Sequence, residues 1–474
     1  MNKFYLHCAI PYVNAAPHIG HAQEFIYADT IARYRKLLGN DVRLLCGADE
    51  NGLKIVQAAE KAGMSTQDFC DVHQAEFLDL AEKLIVRFDV WQRGSDKKTH
   101  FPSSQKLWQL CDKNGDIYKK TYTGLYCVGC EAFYTKEELD EKGECLEHPG
   151  RKLDRVSEEN FFFRLSRYQS YIEKLIAGDT LKVTPNIRKN EALSFVRRGL
   201  EDFSISRSRQ RAKNWGVPVP NDPTQIIYVW FDALNIYQSG IGFGLDEKKY
   251  KKWAPANVMV IGKGILRFHA VYWPAILKSA GLPIPKELFV HGYLTVDGQK
   301  MSKTVGNVVD PSNVVQKYGT DAVRYYLLRE IPSYSDGDFS EKRFKEIYNA
   351  DLANGLGNLA SRISKLCEKI TVNSDSTAVF DKDYKDGIEN YQFDSVLDLV
   401  WDKIRSLDKY LEKEKPWKIS DEKNLKKVMT QAVAQLKQIA FELQPFLPDT
   451  AEKILRQFSG KNIKSQSPLF PRIS

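Results

Sequence analysis

The sequence lacks any run of about eighteen consecutive apolar residues, which is the length that a helix needs to cross a bilayer. The amino-terminal segment has no positively charged region followed by an apolar core, so we expect no export signal. Internal repeats and low-complexity tracts are absent as well. These absences favour a soluble globular protein with no membrane partner.

A disulfide framework is also missing from the cysteine pattern. Five of the eight cysteines are scattered along the chain: Cys8, Cys46, Cys70, Cys111 and Cys367. This distribution predicts a reducing, cytoplasmic environment. With 474 residues, of which 43% are hydrophobic, the chain can form two to four domains with substantial cores. The net charge of +8 is compatible with a polyanionic partner but does not identify one.

The amino-terminal stretch predicts a strand, a loop and a helix. An apolar run from Tyr5 to Ile10 breaks at Pro11, and apolar residues recur at helical spacing beyond Pro17 until Gly39. In an open α/β sheet, ligands bind beyond the carboxyl ends of the strands, where a helix N-terminus offers N–H groups to phosphate. We therefore expect a ligand site at this junction.

Two histidines lie at the predicted junction. His18 and His21 are spaced so that they share one face of the first helical turn, and Gly20 between them lets a planar group approach the backbone. The pattern favours nucleotide binding. A pair of capping or surface histidines is the alternative.

A lysine pair occurs far along the chain, within the stretch from Gly292 to Thr304. Lys300 and Lys303 stand in a predicted loop bounded by Gly298 and Gly306. Taken alone, such a pair is typical of a solvated turn.

The remaining cysteines show metal-ligand spacing. Cys127 and Cys130 form one Cys-x-x-Cys pair, and Cys145 with His148 forms a second pair of the same spacing. Two such pairs supply the four soft ligands of a tetrahedral zinc ion, and a site closed by four protein ligands is structural rather than catalytic. Chance clustering is the alternative.

A carboxylate follows the second predicted strand, Asp41 to Ala48. Asp49 there is suited to hold a substrate ammonium group, and it is equally suited to cap the helix that follows. Further along, arginines at alternate positions predict one face of a strand, either contacting phosphate or forming a solvated edge. These arginines are Arg207, Arg209 and Arg211.

The order of patterns predicts an α/β protein whose sheet is interrupted and then completed. Residues 66–113 have a helical, amphipathic pattern, and residues from about 340 to the end are helical again. Strands of the second half-sheet are predicted at Ile226–Asp232, Val258–Lys263 and Leu288–His291. We expect a first half-sheet at 1–113, an insertion at 114–225, a second half-sheet at 226–340 and a helix bundle at 341–474.

The histidine and lysine motifs together resemble the two signatures of the class I aminoacyl-tRNA synthetases. Pro17–His21 matches the His-Ile-Gly-His signature, and Lys300–Thr304 matches Lys-Met-Ser-Lys-Ser with Thr304 at the last position. Within this class the chain is similar to the methionyl-tRNA synthetases from Lys3 to about Pro471. The other matching segments are Ala9–Tyr12, Asp49–Glu50, the zinc motif, Tyr228–Leu234, Phe268–His269, Val290–Tyr293 and Pro416–Trp417.

This resemblance implies a Rossmann-type parallel sheet split by a zinc-containing connecting insertion and followed by an all-α anticodon-binding helix bundle. It implies activation of L-methionine by ATP with Mg²⁺, then transfer of methionine to tRNA(Met), initiator included. The implied catalytic residues are His18, His21, Lys300 and Lys303. The implied methionine site comprises Ile10, Tyr12, Asp49, Trp230, Leu234, Tyr237 and His291.

By the same resemblance, ATP contacts a wider set of residues: His18, Gly20, His21, Gly262, Lys263, Lys300, Met301, Ser302 and Lys303. The anticodon is read by Asn358, Arg362 and Trp417, although the residues alone predict a core position for Trp417. Two positions depart from the family pattern: Asn51 replaces a histidine, and Gly264 replaces an aspartate. Since no C-terminal oligonucleotide-binding domain follows Pro471, we expect a monomer.

Three other interpretations are weighed against this one. A cysteinyl-tRNA synthetase needs further zinc ligands in the second half-sheet, but after the zinc motif the sequence offers only His269, His291 and Cys367. A catalytically silent tRNA-binding relative does not require both signatures. A non-tRNA adenylyltransferase does not account for the helix bundle with Trp417.

Overall fold

A computed structural model describes residues 2–128, 132–134, 139–146, 150, 153–301, 306–372 and 378–473. The chain divides into two compact units. The first, here called the sheet unit, comprises Met1–Pro17, Gly39–Asp79 and Arg87–His291. The second, here called the helical unit, comprises His18–Leu38, Leu80–Val86 and Gly292–Ser474.

The strands are β1 (Lys3–Cys8), β2 (Asp41–Ala48), β3 (Val90–Arg93), β4 (Ile117–Cys127), β5 (Ala132–Tyr134), β6 (Asp154–Phe163), β7 (Lys182–Thr184), β8 (Phe203–Ser204), β9 (Ser206–Ser208), β10 (Pro218–Val219), β11 (Asp222–Ile227), β12 (Val258–Gly262), β13 (Glu287–His291), β14 (Leu294–Val296), β15 (Gln299–Lys300) and β16 (Gly337–Phe339).

The helices are α1 (Ile19–Leu37), α2 (Leu53–Lys61), α3 (Thr66–Lys83), α4 (His100–Lys113), α5 (Gln169–Ala177), α6 (Asn186–Arg197), α7 (Val229–Ala233), α8 (Ile236–Ser239), α9 (Glu247–Trp253), α10 (Trp273–Ser279), α11 (Pro311–Tyr318), α12 (Thr320–Arg329), α13 (Glu341–Ile347), α14 (Asn358–Cys367), α15 (Lys382–Glu389), α16 (Phe393–Glu414), α17 (Glu422–Leu443) and α18 (Pro448–Gln457). Short 3₁₀ segments lie at Leu165–Tyr168, Lys263–Ile265 and Pro416–Lys418, and π-helical segments at Phe268–Tyr272 and Tyr348–Gly357.

A six-stranded parallel sheet forms the centre of the sheet unit, in the order β3-β2-β1-β12-β13-β7. Strands β1 and β12 pair directly, with Leu6 opposite Val258, so early and late parts of the chain adjoin in one sheet. The buried runs of β1, β2, β12 and β13 are typical of a parallel sheet covered on both faces. The prediction of a Rossmann-like α/β fold is confirmed.

Two predictions of local structure are wrong. Residues 66–113 are not wholly helical, because Val90–Arg93 forms strand β3 between α3 and α4. The run Ile226–Asp232 is not a strand of the parallel sheet: β11 ends at Ile227 in a small antiparallel sheet, and α7 follows directly. A short apolar run has the same composition in a buried helix as in a buried strand, so periodicity cannot distinguish them.

The predicted arginine face does not form either. Arg207 lies in β9 and is buried, with its guanidinium donating to Ser206 O at 2.7 Å and Ser204 Oγ at 2.9 Å. Arg209 and Arg211 belong to the turn that follows. Because β9 is only three residues long, alternate arginines cannot line an extended strand here.

The helical unit contains α1 together with the C-terminal helices. Its core includes a buried ion pair in which Arg324 NH1 lies 2.8 Å from Asp29 Oδ2. Arg33 also pairs with Asp29, at 2.6 Å. The other guanidinium nitrogens of Arg324, Nη2 and Nε, donate to the carbonyls of Pro445 and Phe446, at 3.0 and 2.8 Å. Arg324, in α12, therefore links α1 through an ion pair to the chain that joins α17 to α18 through hydrogen bonds.

The predicted helical C-terminal region is confirmed by α13 to α18. In the part of the chain that the structure describes, the helices are too short or too polar to span a bilayer.

Candidate active site

Helix α1 begins with a histidine capping box. His18 is the N-cap, and its Nδ1 accepts the N–H of Gly20 at 3.2 Å. The N–H of His18 in turn donates to Nδ1 of His21 at 3.1 Å. The two imidazole rings stack with their centroids 3.8 Å apart. Two of the N–H groups left over at a helix N-terminus are thus satisfied by the side chains themselves.

These caps determine the chemical state of both rings. An imidazole that accepts through Nδ1 and is neutral carries its proton on Nε2. Burial of His21, together with the adjacent His18 ring, holds the pKa of His21 well below its ordinary value, so this ring is neutral near pH 7. Each histidine therefore caps the helix through one nitrogen and has an N–H donor at the other. The capping interpretation and the nucleotide interpretation are compatible.

Met301, the residue after Lys300, lies near the same helix N-terminus. A Cβ atom placed on Gly20 would be 3.6 Å from the methyl carbon of Met301. The N–H of Ile19 donates to the carbonyl of Val309 at 3.1 Å, which connects α1 to the chain beyond the loop. The backbone of Lys300 pairs with Thr295 in the β14–β15 hairpin. Ser302, Lys303 and Thr304 lie outside the described residues, as does the side chain of Lys300.

In the sheet unit, Asp49 stands directly after β2. It is buried, and its N–H donates to the carbonyl of Pro11 at 2.9 Å. Its backbone forms an isolated parallel β-bridge with Tyr12. The N-cap of the following helix is Gly52, so the alternative role of Asp49 as a helix cap is wrong. Asp49 therefore lies just beyond the carboxyl end of β2, which is the edge of an open α/β sheet where ligands bind.

Trp230 of α7 packs close to Tyr12 and to Phe268 of the π-helical segment. Trp230 stacks on Phe268 with centroids 3.8 Å apart and meets Tyr12 edge-on at 6.1 Å. Ile10, Leu234 and Tyr237 belong to the same apolar cluster. Tyr12, Trp230 and Phe268 thus form one group of adjacent aromatic rings, here called the aromatic wall, and Tyr237 is a further ring of the same large core cluster.

Tyr237 is held by two histidines that the sequence did not assign to the site. Nδ1 of His269 lies 3.0 Å from the carbonyl of Ile265, so it donates there, and Nε2 accepts the hydroxyl of Tyr237 at 2.9 Å. Burial lowers the pKa of His269 to about 4, which keeps this ring neutral. His7 stacks on the other side of Tyr237, at 3.6 Å. Tyr237 is therefore fixed in orientation.

The carboxyl ends of β12 and β13 carry another group of predicted residues. Gly262 pairs with His291 across the two strands, and a Cβ on Gly262 would lie 3.6 Å from His291 Cε1. Lys263 begins the 3₁₀ segment that contains Gly264. Gly262, Lys263 and His291 thus form one group at this edge of the sheet.

Sequence reasoning also missed a buried polar cluster behind the Asp49 loop. Asn51, noted only as a departure from a family pattern, donates to Gly94 O at 2.7 Å and to Asp232 Oδ2 at 2.6 Å. His100 lies 2.7 Å from the other oxygen of Asp232. No pattern in the sequence signals this arrangement, since isolated polar residues carry no periodicity.

Two of the four predicted zinc ligands are described. Cys127 and Cys145 are buried in one small cluster with Tyr134, where the β4–β5 hairpin meets the bridge between Leu139 and Cys145. Cys130 and His148 lie outside the described residues. Soft thiol ligands gathered in a small cluster are compatible with zinc.

The predicted anticodon residues lie together at α14 and the Pro416–Lys418 segment. Trp417 is 46% exposed, so the prediction of a core tryptophan from the residues alone is wrong. The guanidinium carbon of Arg362 is 5.5 Å from the Trp417 ring centroid, and Arg362 pairs with Asp408 and Glu412. Asn358, at the start of α14, is exposed. An exposed indole beside a guanidinium is a surface on which a base can stack.

Comparison with known proteins identifies the family of this chain. The family model described as tRNA synthetases class I (M) matches residues 4–364. A methionine–tRNA ligase of Thermotoga maritima is 41% identical, over 98% of this chain and 77% of the relative. One of Nostoc sp. is 39% identical, over 99% and 92%.

Solved structures give the same result. Mycobacterium tuberculosis methionyl-tRNA synthetase in complex with methionyl-adenylate has a TM-score of 0.91 and 35% identity, with 100% of both chains covered. Its apo form has a TM-score of 0.83 and 31% identity, covering 100% of this chain and 99% of that one. The predicted resemblance is confirmed: this chain belongs to the methionyl-tRNA synthetases, within the class I aminoacyl-tRNA synthetases.

Proposed function

We propose that this chain activates L-methionine with ATP to give methionyl-adenylate and pyrophosphate, and then transfers methionine to the 3′-terminal adenosine of tRNA(Met). The observation that supports it most is in the helical unit, where the histidine-capped N-terminus of α1 lies beside Met301 of the lysine loop. N–H donors at a helix N-terminus next to a lysine-bearing loop suit a triphosphate.

In the proposed first step no side chain acts as a nucleophile. The methionine carboxylate attacks the α-phosphorus of ATP, the bond to the β-phosphate oxygen breaks, and pyrophosphate leaves with the electron pair. Catalysis consists of positioning and of stabilising the charge that develops. His18 and His21 donate from Nε2, and Lys300 and Lys303 neutralise the departing pyrophosphate. Mg²⁺ that accompanies ATP would supply further positive charge at the phosphates.

In the second step the 2′-hydroxyl of the terminal adenosine attacks the carbonyl of the adenylate and AMP leaves. Gly20, Met301 and Ser302 are assigned to the nucleotide in the helical unit, and Gly262 and Lys263 in the sheet unit.

The aromatic wall is assigned to the methionine side chain and Asp49 to its ammonium group. A thioether packs well against aromatic rings, which Trp230 and Tyr237 provide. Ile10, Tyr12 and Leu234 complete the apolar surface, and His291 is kept as a residue of the site. Apolar packing alone discriminates weakly between near-isosteres, so analogues such as homocysteine are expected to compete.

Several finer assignments belong to the same proposal. Cys127, Cys130, Cys145 and His148 hold one structural zinc ion in the connecting insertion at 114–225, between half-sheets at 1–113 and 226–340. One strand within the insertion range, β7, adds to the edge of the parallel sheet beside β13. The bundle at 341–474 reads the anticodon of tRNA(Met), initiator included. We further propose a cytoplasmic monomer.

Amino-acid-dependent ATP–pyrophosphate exchange tests this function directly. We expect exchange with methionine and essentially none with cysteine, isoleucine or valine. Exchange driven by cysteine would support the cysteinyl interpretation instead. Absence of exchange with every amino acid, in a protein that still shifts tRNA(Met) on a native gel, would support a silent tRNA-binding relative.

The exposed indole gives a second prediction. Trp417→Ala should reduce kcat/KM for tRNA(Met) by about 10- to 100-fold, because base–aromatic stacking contributes about 1–3 kcal/mol. Pyrophosphate exchange without tRNA should stay within about twofold of wild type. Trp253→Ala is unsuitable as a control because Trp253 is buried; Leu245→Ala, also an exposed apolar residue, is suitable. Loss of exchange in Trp417→Ala would contradict the assignment of Trp417 to anticodon binding.

A further inference from the structure

We propose that Asp232 is a positioning residue for methionine binding: its buried carboxylate fixes both the loop that presents Asp49 and the short helix that presents Trp230. This inference rests on the proposed function. It adds Asp232, with Asn51, His100 and Ser104, to the residues that determine methionine affinity.

The carboxylate of Asp232 is 1% exposed and accepts hydrogen bonds on both oxygens. Oδ2 accepts the amide of Asn51 at 2.6 Å. Oδ1 accepts Nε2–H of His100 at 2.7 Å and the hydroxyl of Ser104 at 2.8 Å. A buried carboxylate is tolerated only with such donors, and hydrogen bonds to an ionised acceptor are the strong ones. Asp232 therefore joins three separate elements: the loop after β2, α4 and α7.

The two residues that follow Asp49, Glu50 and Asn51, fix the loop after β2 through buried hydrogen bonds. Asn51 uses its second amide hydrogen to donate to Gly94 O at 2.7 Å. Glu50 is fully buried and accepts Nε of Arg93 at 2.8 Å and the N–H of Ser95 at 3.0 Å. With the N–H of Asp49 bonded to Pro11, the backbone is fixed on both sides of the carboxylate that is assigned to the ammonium group.

The orientation of the Asn51 amide depends on its two acceptors. Its Oδ1 is buried and has no hydrogen-bond partner within the described ranges. Among the described residues, the orientation of the Asn51 amide therefore depends on the two hydrogen bonds that Nδ2 donates. If Asp232 ceases to accept, the amide keeps only the carbonyl of Gly94, and the loop loses its connection to α7.

Helix α7 needs such an anchor. It has five residues, Val229–Ala233, which is too few for a helix to be stable by its own hydrogen bonds. Asp232, within α7, fixes the helix through its buried carboxylate. Asn235, just after the C-terminal end of α7, donates to Ser103 Oγ at 2.9 Å and Ser104 Oγ at 3.2 Å. Trp230 lies one half-turn before Asp232, so rotation of α7 would move the indole off Phe268.

His100 extends the cluster to the next pocket element. Its Nδ1 lies 2.9 Å from Ser239 Oγ, and Ser239 ends α8, the helix that carries Tyr237. His100 is fully buried, so both ring nitrogens are committed within the protein. The cluster centred on Asp232 thus contacts the elements that carry Asp49, Trp230 and Tyr237.

The test is Asp232→Asn, assayed by pyrophosphate exchange. Asparagine keeps the shape of aspartate, but its NH₂ group replaces one of the two accepting oxygens. That NH₂ group then faces another donor, either the amide of Asn51 or Nε2–H of His100. We expect the KM for methionine to rise by about 10- to 100-fold, as for loss of a hydrogen bond to a charged group. The KM for ATP should change less than about twofold, since that substrate does not use Asp49 or Trp230.

A paired exchange separates positioning from general destabilisation. Asn51→Asp places two carboxylates together and should raise the KM for methionine at least as much. The double variant with Asp232→Asn restores one amide–carboxylate bond, so its KM for methionine should be below that of Asn51→Asp alone. Asp222→Asn, which changes a carboxylate paired with Lys119 elsewhere in the sheet unit, is the matched control and should leave both KM values unchanged.

The outcomes are distinguishable. If the wild-type protein shows no methionine-dependent exchange, the proposed function fails. If the wild type is active and Asp232→Asn leaves the KM for methionine unchanged, or raises both KM values equally, the positioning role is overturned. Should Asp232→Asn not fold, Ser104→Ala decides, because it keeps the carboxylate and removes one of its hydrogen bonds together with the longer bond from Asn235. It should raise the KM for methionine by about 3- to 10-fold, and an unchanged value overturns the inference.

Discussion

His21→Asn is expected to lower the rate of methionine-dependent pyrophosphate exchange by about 10²- to 10³-fold, the usual effect of removing one preorganised donor from a developing charge. The Oδ1 of asparagine occupies the position of imidazole Nδ1 and still accepts the N–H of His18, as Nδ1 does now at 3.1 Å. Nothing in asparagine reaches the position of Nε2. The substitution thus removes the proposed phosphate donor and preserves the helix cap.

His18→Asn likewise removes the proposed phosphate donor Nε2 and keeps an acceptor at the N-cap position. Asparagine is among the best N-cap residues, so the bond from Gly20 N–H should persist and stability should change little. We expect a comparable fall in kcat with the KM for methionine within about threefold. His18→Ala removes both functions and should also cost about 1 kcal/mol of stability.

Thermal unfolding together with exchange kinetics measures both effects. His73→Asn is the matched control, since His73 pairs with Glu76 on the surface of α3 and has no proposed role. If the asparagine variants keep wild-type kcat while the alanine variants lose stability, the two histidines are caps only. That result would falsify their role at the phosphates.

Asp29→Ala should lower the unfolding free energy of the helical unit by about 3–5 kcal/mol, because it leaves a buried guanidinium without its counter-ion. Arg324 is fully buried, and desolvation lowers its pKa while the carboxylate of Asp29 opposes that shift. Asp29 bonds Arg33 as well. An arginine remains charged at any ordinary pH, so the variant cannot escape the cost by losing a proton.

Urea unfolding followed by circular dichroism and tryptophan fluorescence tests this expectation. The control is Asp402→Ala, which breaks the exposed pair with Arg405 and should cost less than about 1 kcal/mol. Asp29→Asn should be intermediate, since it keeps a hydrogen-bond acceptor but removes the charge. Equal stabilities for Asp29→Ala and Asp402→Ala would contradict the structural role assigned to Arg324.

The parts of the fold that could be predicted are those with a strong local pattern. Strands β1, β2, β12 and β13 are mostly apolar, with His7 in β1 and Arg43 in β2 among the exceptions, and their order along the chain predicted a parallel sheet. The run Ile226–Asp232 failed because aromatic and branched residues suit a buried helix as well as a strand. Strand β3 was missed since four residues between two amphipathic helices carry too little signal.

Some residues of the candidate site could likewise be predicted from local sequence patterns, and others could not. His18, His21 and Asp49 were predicted from their positions next to strand and helix ends, where backbone geometry confers a chemical role. His100 and Asp232 were not, because they are 132 residues apart and meet only through tertiary folding. His269 is a third case. It lies in a segment that matches the family, but only the structure shows that it accepts a hydrogen bond from Tyr237 and so orients that ring.

The ionic anchor of α1 bears on how this enzyme can be dissected. Two nitrogens of the Arg324 guanidinium, Nε and Nη2, donate to the carbonyls of Phe446 and Pro445, near the end of the sequence. A fragment cut at about residue 341, the start of the proposed anticodon-binding bundle, would keep the Asp29–Arg324 pair but lose these two acceptors, leaving buried N–H groups without partners beside the helix that bears both histidines. A minimal catalytic fragment therefore needs either this late segment or an apolar replacement for the Asp29–Arg324 pair.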